Sequence, residues 1–371
     1  MAGFSRFTPL TQSLPATVPF VGPETQERRR GGAFAARIGA NESCFGPSPA
    51  VIEAMRDVAP DVWKYPDPEC HDLIAAVARR LGLKPENVVI GEGIDGLLGL
   101  TVRMVAEPQT PIVNSLGAYP TFNYHVAGFG ARLVTVPYVS DCEDLGSLLA
   151  AVRREDAPLV YLANPDNPMG SWWEAGEIET FARALPETTL LVLDEAYGET
   201  APAGALPFDD ALTDMPNVVR MRTFSKAYGL AGIRVAYAFG HPGTIVAYNK
   251  VRNHFGVGRL AQAAALAAIG DGAWLTDVVR RIARGRERIA AIAQASGLEP
   301  LPSATNFVAV DCGRDGAFAG RVLEKLVARG IFIRMPGVAP LNRCIRISVG
   351  LDHELDLFAE ALPQALRDAE T

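Results

Sequence analysis

From about residue 70 to residue 257, short apolar runs alternate with stretches whose apolar residues recur every three to four positions. Seven runs rich in Val, Ile and Leu read as strands: NVVIGEG (87–93), TPIVNS (110–115), ARLVTVPY (131–138), PLVYLANP (158–165), TLLVLDEAY (189–197), VVRMRTFS (218–225) and RVAYAFG (234–240). Their apolar character is nearly continuous, which suits strands covered on both faces in a mostly parallel sheet. LIAAVARRLG (73–82), DGLLGLTVRMV (95–105) and EIETFARAL (177–185) carry helical spacing instead. Strand and helix in such alternation predict an α/β fold.

Beyond residue 257 the pattern changes. RLAQAAALAAIG (259–270) and residues 273–297 predict long helices, the second with an Arg-rich outer face. TNFVAVDC (305–312), GIFIRMPG (330–337) and RCIRISVG (343–350) predict three strands, interleaved with helices at 317–330 and 352–366. The expected organisation is an N-terminal arm at 1–40 with little periodicity, a large domain at 41–257, and a smaller α+β domain at 258–371. The arm is expected to pack on the small domain or a partner.

Composition narrows the function classes. The 371 residues carry a formal charge of −7, and the one basic run, Arg28-Arg29-Arg30, is short. Both features argue against a nucleic-acid partner. Five cysteines lie scattered without a C-x-x-C pair, so reduced thiols and a cytoplasmic home are expected, with no metal site. No apolar run reaches the ~18 residues a membrane span needs.

The candidate chemistry sits where strands turn into loops. Gly91, Gly93 and Gly96 spell G-x-G-x-x-G, the fingerprint of a dinucleotide site. That reading needs an acidic residue at the end of the next strand, and PIVNS offers Asn114 there. The glycines still make a strand-to-helix turn whose free N–H groups suit an anion. In MRTFSKAYGLAGIRVAY, Lys226 follows Thr223 and Ser225 and precedes Arg234. Hydroxyls and a guanidinium suit a phosphate dianion. A lysine beside them, desolvated and repelled by like charge, has a lowered pKa and is free to attack a carbonyl. Asp194 ends a buried-type strand and needs a cationic partner, for which a pyridinium nitrogen would serve. Tyr197 follows it, and Asn167 lies in the Pro-bracketed turn NPDNP.

In order along the chain, ANESCFGPSP, KYPDPE, GEGIDGLL, AYPTF, NPDNPMG, DEAYGE, TFSKAYGLAGIRVAY and CIRISVG resemble the fold-type I aminotransferases that use pyridoxal 5′-phosphate (PLP), especially the histidinol-phosphate aminotransferase branch. The stretches span Asn41 to Gly350. The resemblance implies a seven-stranded large domain and an amino transfer between histidinol phosphate and 2-oxoglutarate by a ping-pong route. Aromatic amino acids, or decarboxylation as in threonine-phosphate decarboxylase, are the alternatives. It assigns Lys226 to the cofactor's aldehyde and to proton transfer, Asp194 to the ring nitrogen, Tyr197 and Asn167 to the ring oxygen, and Tyr119 to the ring face. It assigns the cofactor phosphate to the N–H groups of Ile94 and Asp95, to Thr223, Ser225 and Arg234, and to Tyr65 of a neighbouring subunit, which implies a homodimer. Substrate contacts fall to Arg346, Asn41 and Phe20, with Arg334 either a second anion contact or a surface residue. Phe20 stands where the branch usually has a tyrosine that holds the substrate phosphate, which keeps an aromatic substrate in view. Met169 and Cys44 also depart from the branch's usual Thr and Pro.

Overall fold

The computed structural model describes residues 6–16 and 21–370. Its strands are β1 (Ala36–Arg37), β2 (Val88–Gly91), β3 (Pro111–Ser115), β4 (Arg132–Val136), β5 (Leu159–Ala163), β6 (Leu190–Asp194), β7 (Val218–Thr223), β8 (Ala236–Gly240), β9 (Glu299–Pro300), β10 (Phe307–Asp311), β11 (Ile331–Phe332) and β12 (Cys344–Ser348). Strands β2 to β8 form one seven-stranded sheet in the order β2-β8-β7-β6-β5-β3-β4. Only β8 runs against its neighbours, so the predicted mostly parallel sheet is what forms. Its central strands β5 and β6 are almost wholly buried, as continuous apolar runs require.

Apolar clusters pack on both faces. Ile112, Tyr161, Val192 and Met221 join Leu97, Leu98 and Phe122 on one side. Val113, Val160, Leu162 and Leu193 meet Leu148, Ile178 and Phe181 on the other. This alternation along β5 decides which side chains face the functional cleft.

The C-terminal region has its own apolar cluster, built from Val308, Val310, Ile345, Ile347, Phe318 and Phe358, and it includes Ala36 and Ile38. Here the structure corrects the sequence reading. Strands β10 and β12 pair antiparallel, Phe307 opposite Ser348, but their third partner is β9. The expected strand at 330–337 shrinks to β11, which pairs in parallel with β1. A single bridge joins Arg334 to Arg346, and Pro336 then lacks the N–H that would extend the ladder. The opening segment also contains two helices, Pro9–Ser13 and Pro23–Arg30, that apolar periodicity does not reveal. Among the described residues no helix is long and apolar enough to cross a membrane.

A buried ion network fixes the ends of β6 and β7. Glu195 accepts from Arg220 Nε at 2.9 Å and Arg222 Nε at 2.8 Å, and Arg222 also reaches Asp209 at 2.7 Å. Glu195 and Arg220 are fully buried. Removing one member leaves buried charge uncompensated. Glu195→Ala should therefore cost about 3–5 kcal/mol in urea unfolding. A loss below about 1 kcal/mol would show that the network is not what anchors this edge.

Candidate active site

The carboxyl ends of β5, β6 and β7 open onto a cleft with an empty volume of about 650 Å³. Ile94, Asp95, Tyr119, Asn167, Asp194, Tyr197, Thr223, Ser225, Lys226 and Arg234 all line it. A second cavity adjoins it and shares Tyr119, Asn167 and Lys226, adding Asn41, Arg334 and Arg346.

Each side chain arrives there by local necessity. Asp194 ends β6 opposite Ala163 of β5 and Met221 of β7, so its carboxylate emerges at the sheet's carboxyl edge. Tyr161 donates its hydroxyl to Asp194 Oδ2 at 2.8 Å, and Ala196 N–H donates to Oδ1 at 2.9 Å. Even so, burial pushes the Asp194 carboxyl up to about 6. Lys226 lies just past β7, and its Nζ donates to the Asn41 carbonyl at 3.0 Å. Burial, then repulsion from Arg346, brings that amine down to about 8.

Asn41 is the junction between the two halves of the chain. Its Nδ2 donates to the Tyr197 hydroxyl at 2.9 Å, and its Oδ1 accepts from Ser348 Oγ at 3.0 Å. Asn306 Nδ2 shares its carbonyl with Lys226. Tyr197 is buried, which raises its phenol well above the usual range. Its ring centroid lies 5.5 Å from Lys226 Nζ.

The helix Gly93–Val105 starts beside Arg234. Gly93 has φ +77°, and a Cβ there would come within 2.3 Å of Arg234 Nη2. Glycine thus lets the guanidinium approach the free N–H groups of the first helical turn. Arg234 Nη1 reaches Ser225 Oγ at 3.4 Å, and Thr223 Oγ1 accepts from Ser225 N–H at 3.0 Å. Hydroxyls, backbone donors and a cation converge as an anion cradle. The dinucleotide reading has no support, since β2 is an edge strand whose one neighbour, β8, runs antiparallel to it, and Asn114 instead donates to Asn123 at 2.7 Å.

Arg346, with Ile345 and Ile347 buried beside it, turns the other way and donates Nη1 to Asn167 Oδ1 at 2.6 Å. Its buried Nε has no hydrogen-bond partner, although Arg346 lines the second cavity. Burial lowers its guanidinium to about 10. Arg334 lines the same cavity and donates to the Val21 carbonyl at 3.1 Å. Tyr65 lies away from this cleft, 80% exposed, with its ring 5.1 Å from that of Phe255. Phe20 lies outside the described residues. Among those described, no cluster of three or more His, Cys, Asp or Glu could hold a metal.

Tyr161, Asn306 and Ser348 escape sequence reading. Tyr161 sits inside an apolar strand and counts there as a hydrophobe, although a buried hydroxyl needs a partner. That unmet need was the available signal. Asn306 and Ser348 act on Asn41 across more than 260 positions, which no local pattern encodes.

A model of the family described as aminotransferase class I and II matches residues 36–362. The chain belongs to the class I and II aminotransferase family. Among solved aminotransferases, the histidinol-phosphate aminotransferase of Sinorhizobium meliloti, in complex with pyridoxal-5′-phosphate, is 64% identical with a TM-score of 0.96, and 99% of each chain is covered. Histidinol-phosphate aminotransferase 1 of Nitrosococcus oceani is 34% identical over 368 residues, 99% of this chain and 96% of that protein. The histidinol-phosphate aminotransferase of Rhodospirillum centenum is 36% identical over 356 residues, 94% of this chain and 96% of that protein. The α/β architecture is that of the fold-type I aminotransferases.

The raised Asp194 pKa has a stability consequence. A carboxyl held at about 6 instead of 3.8 binds its proton more tightly when folded. Its stabilising share is present at low pH and is lost as pH rises through about 6. In the cofactor-free chain, wild type should lose about 2 kcal/mol more than Asp194→Asn between about pH 4 and pH 7. Denaturation series that stay parallel over this interval would refute the desolvation account.

Proposed function

We propose that this chain is a PLP-dependent aminotransferase that moves the amino group of histidinol phosphate to 2-oxoglutarate, giving imidazole-acetol phosphate and glutamate in two half-reactions. The carrying observation is that the cleft lined by Asp194, Lys226 and the cradle around Arg234 shares Lys226 with an adjoining cavity lined by Arg334 and Arg346. Similarity over 99% of both chains to the S. meliloti enzyme supports the choice of substrate.

The residues present fit the cofactor. The glycine at 93 admits Arg234 to the helix start, as a phosphate cradle requires, and the unpartnered Arg346 Nε awaits a substrate anion. Ile94 and Asp95 N–H, Thr223, Ser225 and Arg234 would hold the cofactor phosphate, Asp194 its ring nitrogen, Tyr197 and Asn167 its ring oxygen, and Tyr119 its face. Once bound, the cofactor supplies an aldehyde for the amine and an electron-poor ring for the pair left at Cα. Asp194 keeps a proton on the ring nitrogen, because the carboxylate is charged above about pH 6 and favours a cation beside it. Lys226 Nζ, neutral above about pH 8, accepts the proton leaving Cα. Arg346 and Arg334 hold the substrate's anionic end, and Asn41 ties the Tyr197 hydroxyl and the Lys226 amine into one frame.

A homodimer completes the reading. Val62, Trp63, Tyr65 and Phe255 form an exposed apolar group, with Trp63 78% exposed, and a second copy of the chain would cover it and receive Tyr65 at its cradle. The five cysteines are free, which supports a reducing, cytoplasmic setting.

Purified protein loaded with PLP should be yellow, and borohydride should fix a pyridoxyl group on Lys226. Lys226→Ala should lose that attachment and fall at least about 10³-fold in turnover. In a donor panel with 2-oxoglutarate, histidinol phosphate should exceed phenylalanine in kcat/KM. Preference for phenylalanine, or carbon dioxide release without consumption of 2-oxoglutarate, would overturn the substrate or the reaction class respectively.

The lowered lysine pKa gives a separate check. PLP capture needs the neutral amine, so its rate should rise with pH to a midpoint near about 8 and then level off. A rise that continues toward 10.5, the ordinary lysine value, would contradict the buried-amine account.

A further inference from the structure

The first turn of the helix Gly93–Val105 presents a difficulty for an anion site. Asp95 lines the cofactor cleft beside the backbone donors and carries a carboxylate of its own. An acid in the first turn is drawn to those same free N–H groups by the helix dipole. Folded back, it would compete with a phosphate for the donors and repel it.

The structure holds that carboxylate elsewhere. His125, on the helix Pro120–Gly128, puts Nε2 2.9 Å from Asp95 Oδ1. Gly99, one turn after Asp95, makes this possible. A Cβ there would come within 2.8 Å of His125 Cε1 and 2.9 Å of Nδ1, so only glycine leaves the ring its place against the helix. Asp95 and Gly99 are four apart and share a helix face. The imidazole therefore lies along that face with its nitrogen at the carboxylate. Arg234 approaches the start of the same helix at Gly93, so the carboxylate has an imidazole and the cradle keeps its guanidinium.

We infer that His125 is a positioning residue that keeps the Asp95 carboxylate off the phosphate cradle, and so sets the preference for the phosphorylated cofactor over its unphosphorylated form. The inference rests on the PLP reading above. His125 touches neither substrate nor reacting atoms in this account; it acts through Asp95.

The test loads the full-length chain with PLP or with pyridoxal and measures both dissociation constants by fluorescence quenching. In His125→Phe, PLP affinity should fall about tenfold while pyridoxal affinity changes less than about twofold, because only the phosphate meets the released charge. His125→Gln, which keeps a donor at similar reach, should restore most of the loss. Neutralising the acid in the pair His125→Phe/Asp95→Asn should restore it as well. Equal losses for PLP and pyridoxal, or no rescue by Asp95→Asn, would overturn the inference and leave His125 a packing residue. Failure of the wild-type chain to bind PLP, or to yield a borohydride-fixed pyridoxyl group on Lys226, would overturn the cofactor reading instead.

Discussion

Desolvation at the carboxyl edge of β6 and β7 acts on a base and an acid at once. It brings the Lys226 amine down to about 8 and pushes the Asp194 carboxyl up to about 6, so burial moves both groups toward neutrality. Neither value follows from the bare side chain. The amine becomes a usable nucleophile and base near physiological pH. The carboxylate becomes a strong partner for any cation brought beside it, because little water competes for its lone pairs. The rest of the molecule maintains that burial. The ion network at Glu195 pins the residue next to Asp194, and Tyr161 donates to the carboxylate itself.

Asn41 extends this constraint to the C-terminal region. One side chain and one carbonyl join Tyr197, Lys226, Ser348 and Asn306. Ile38, three residues earlier, packs with Val308, Ile347 and Phe358. Any movement of that apolar cluster against the large sheet therefore pulls on the lysine and the tyrosine together. Cleft geometry and core packing are mechanically one problem here.

The sheet was legible because its strands are buried on both faces, and continuous apolar runs have few other uses. Lys226, Asp194 and Arg346 were legible for the opposite reason: charge at the end of, or inside, an apolar strand demands an explanation. Pairing was much less so. Ile331–Phe332 looks like its neighbours in composition, yet it joins Ala36–Arg37, and nothing local in either dipeptide names the other. The buried acids Glu143 and Asp166 likewise carry no local signal in the sequence. Burial raises both, and Ser115, Tyr138 and the N–H groups of Ala163 and Met169 satisfy them. Their partners come from three strand ends and a turn, so the satisfaction exists only in three dimensions. The role proposed for Tyr65 would need a second copy of the chain, so nothing in one copy could reveal it.

The signs of the charges along the cleft bear on how a ligand is oriented. Arg234 stands at the helix start, Asp194 at the end of β6, Lys226 past β7, and Arg346 and Arg334 in the adjoining cavity. A cofactor with an anionic phosphate and a basic ring nitrogen meets an opposite charge at each end only one way round. Reversed, its phosphate would face the Asp194 carboxylate and its ring nitrogen the Arg234 guanidinium, two unfavourable contacts in a site poor in water. A substrate anion would have the same choice, and among the described residues lining the two cavities only Arg346 offers it a buried donor without a partner. In the proposed site, orientation would thus be set by repulsion as much as by attraction.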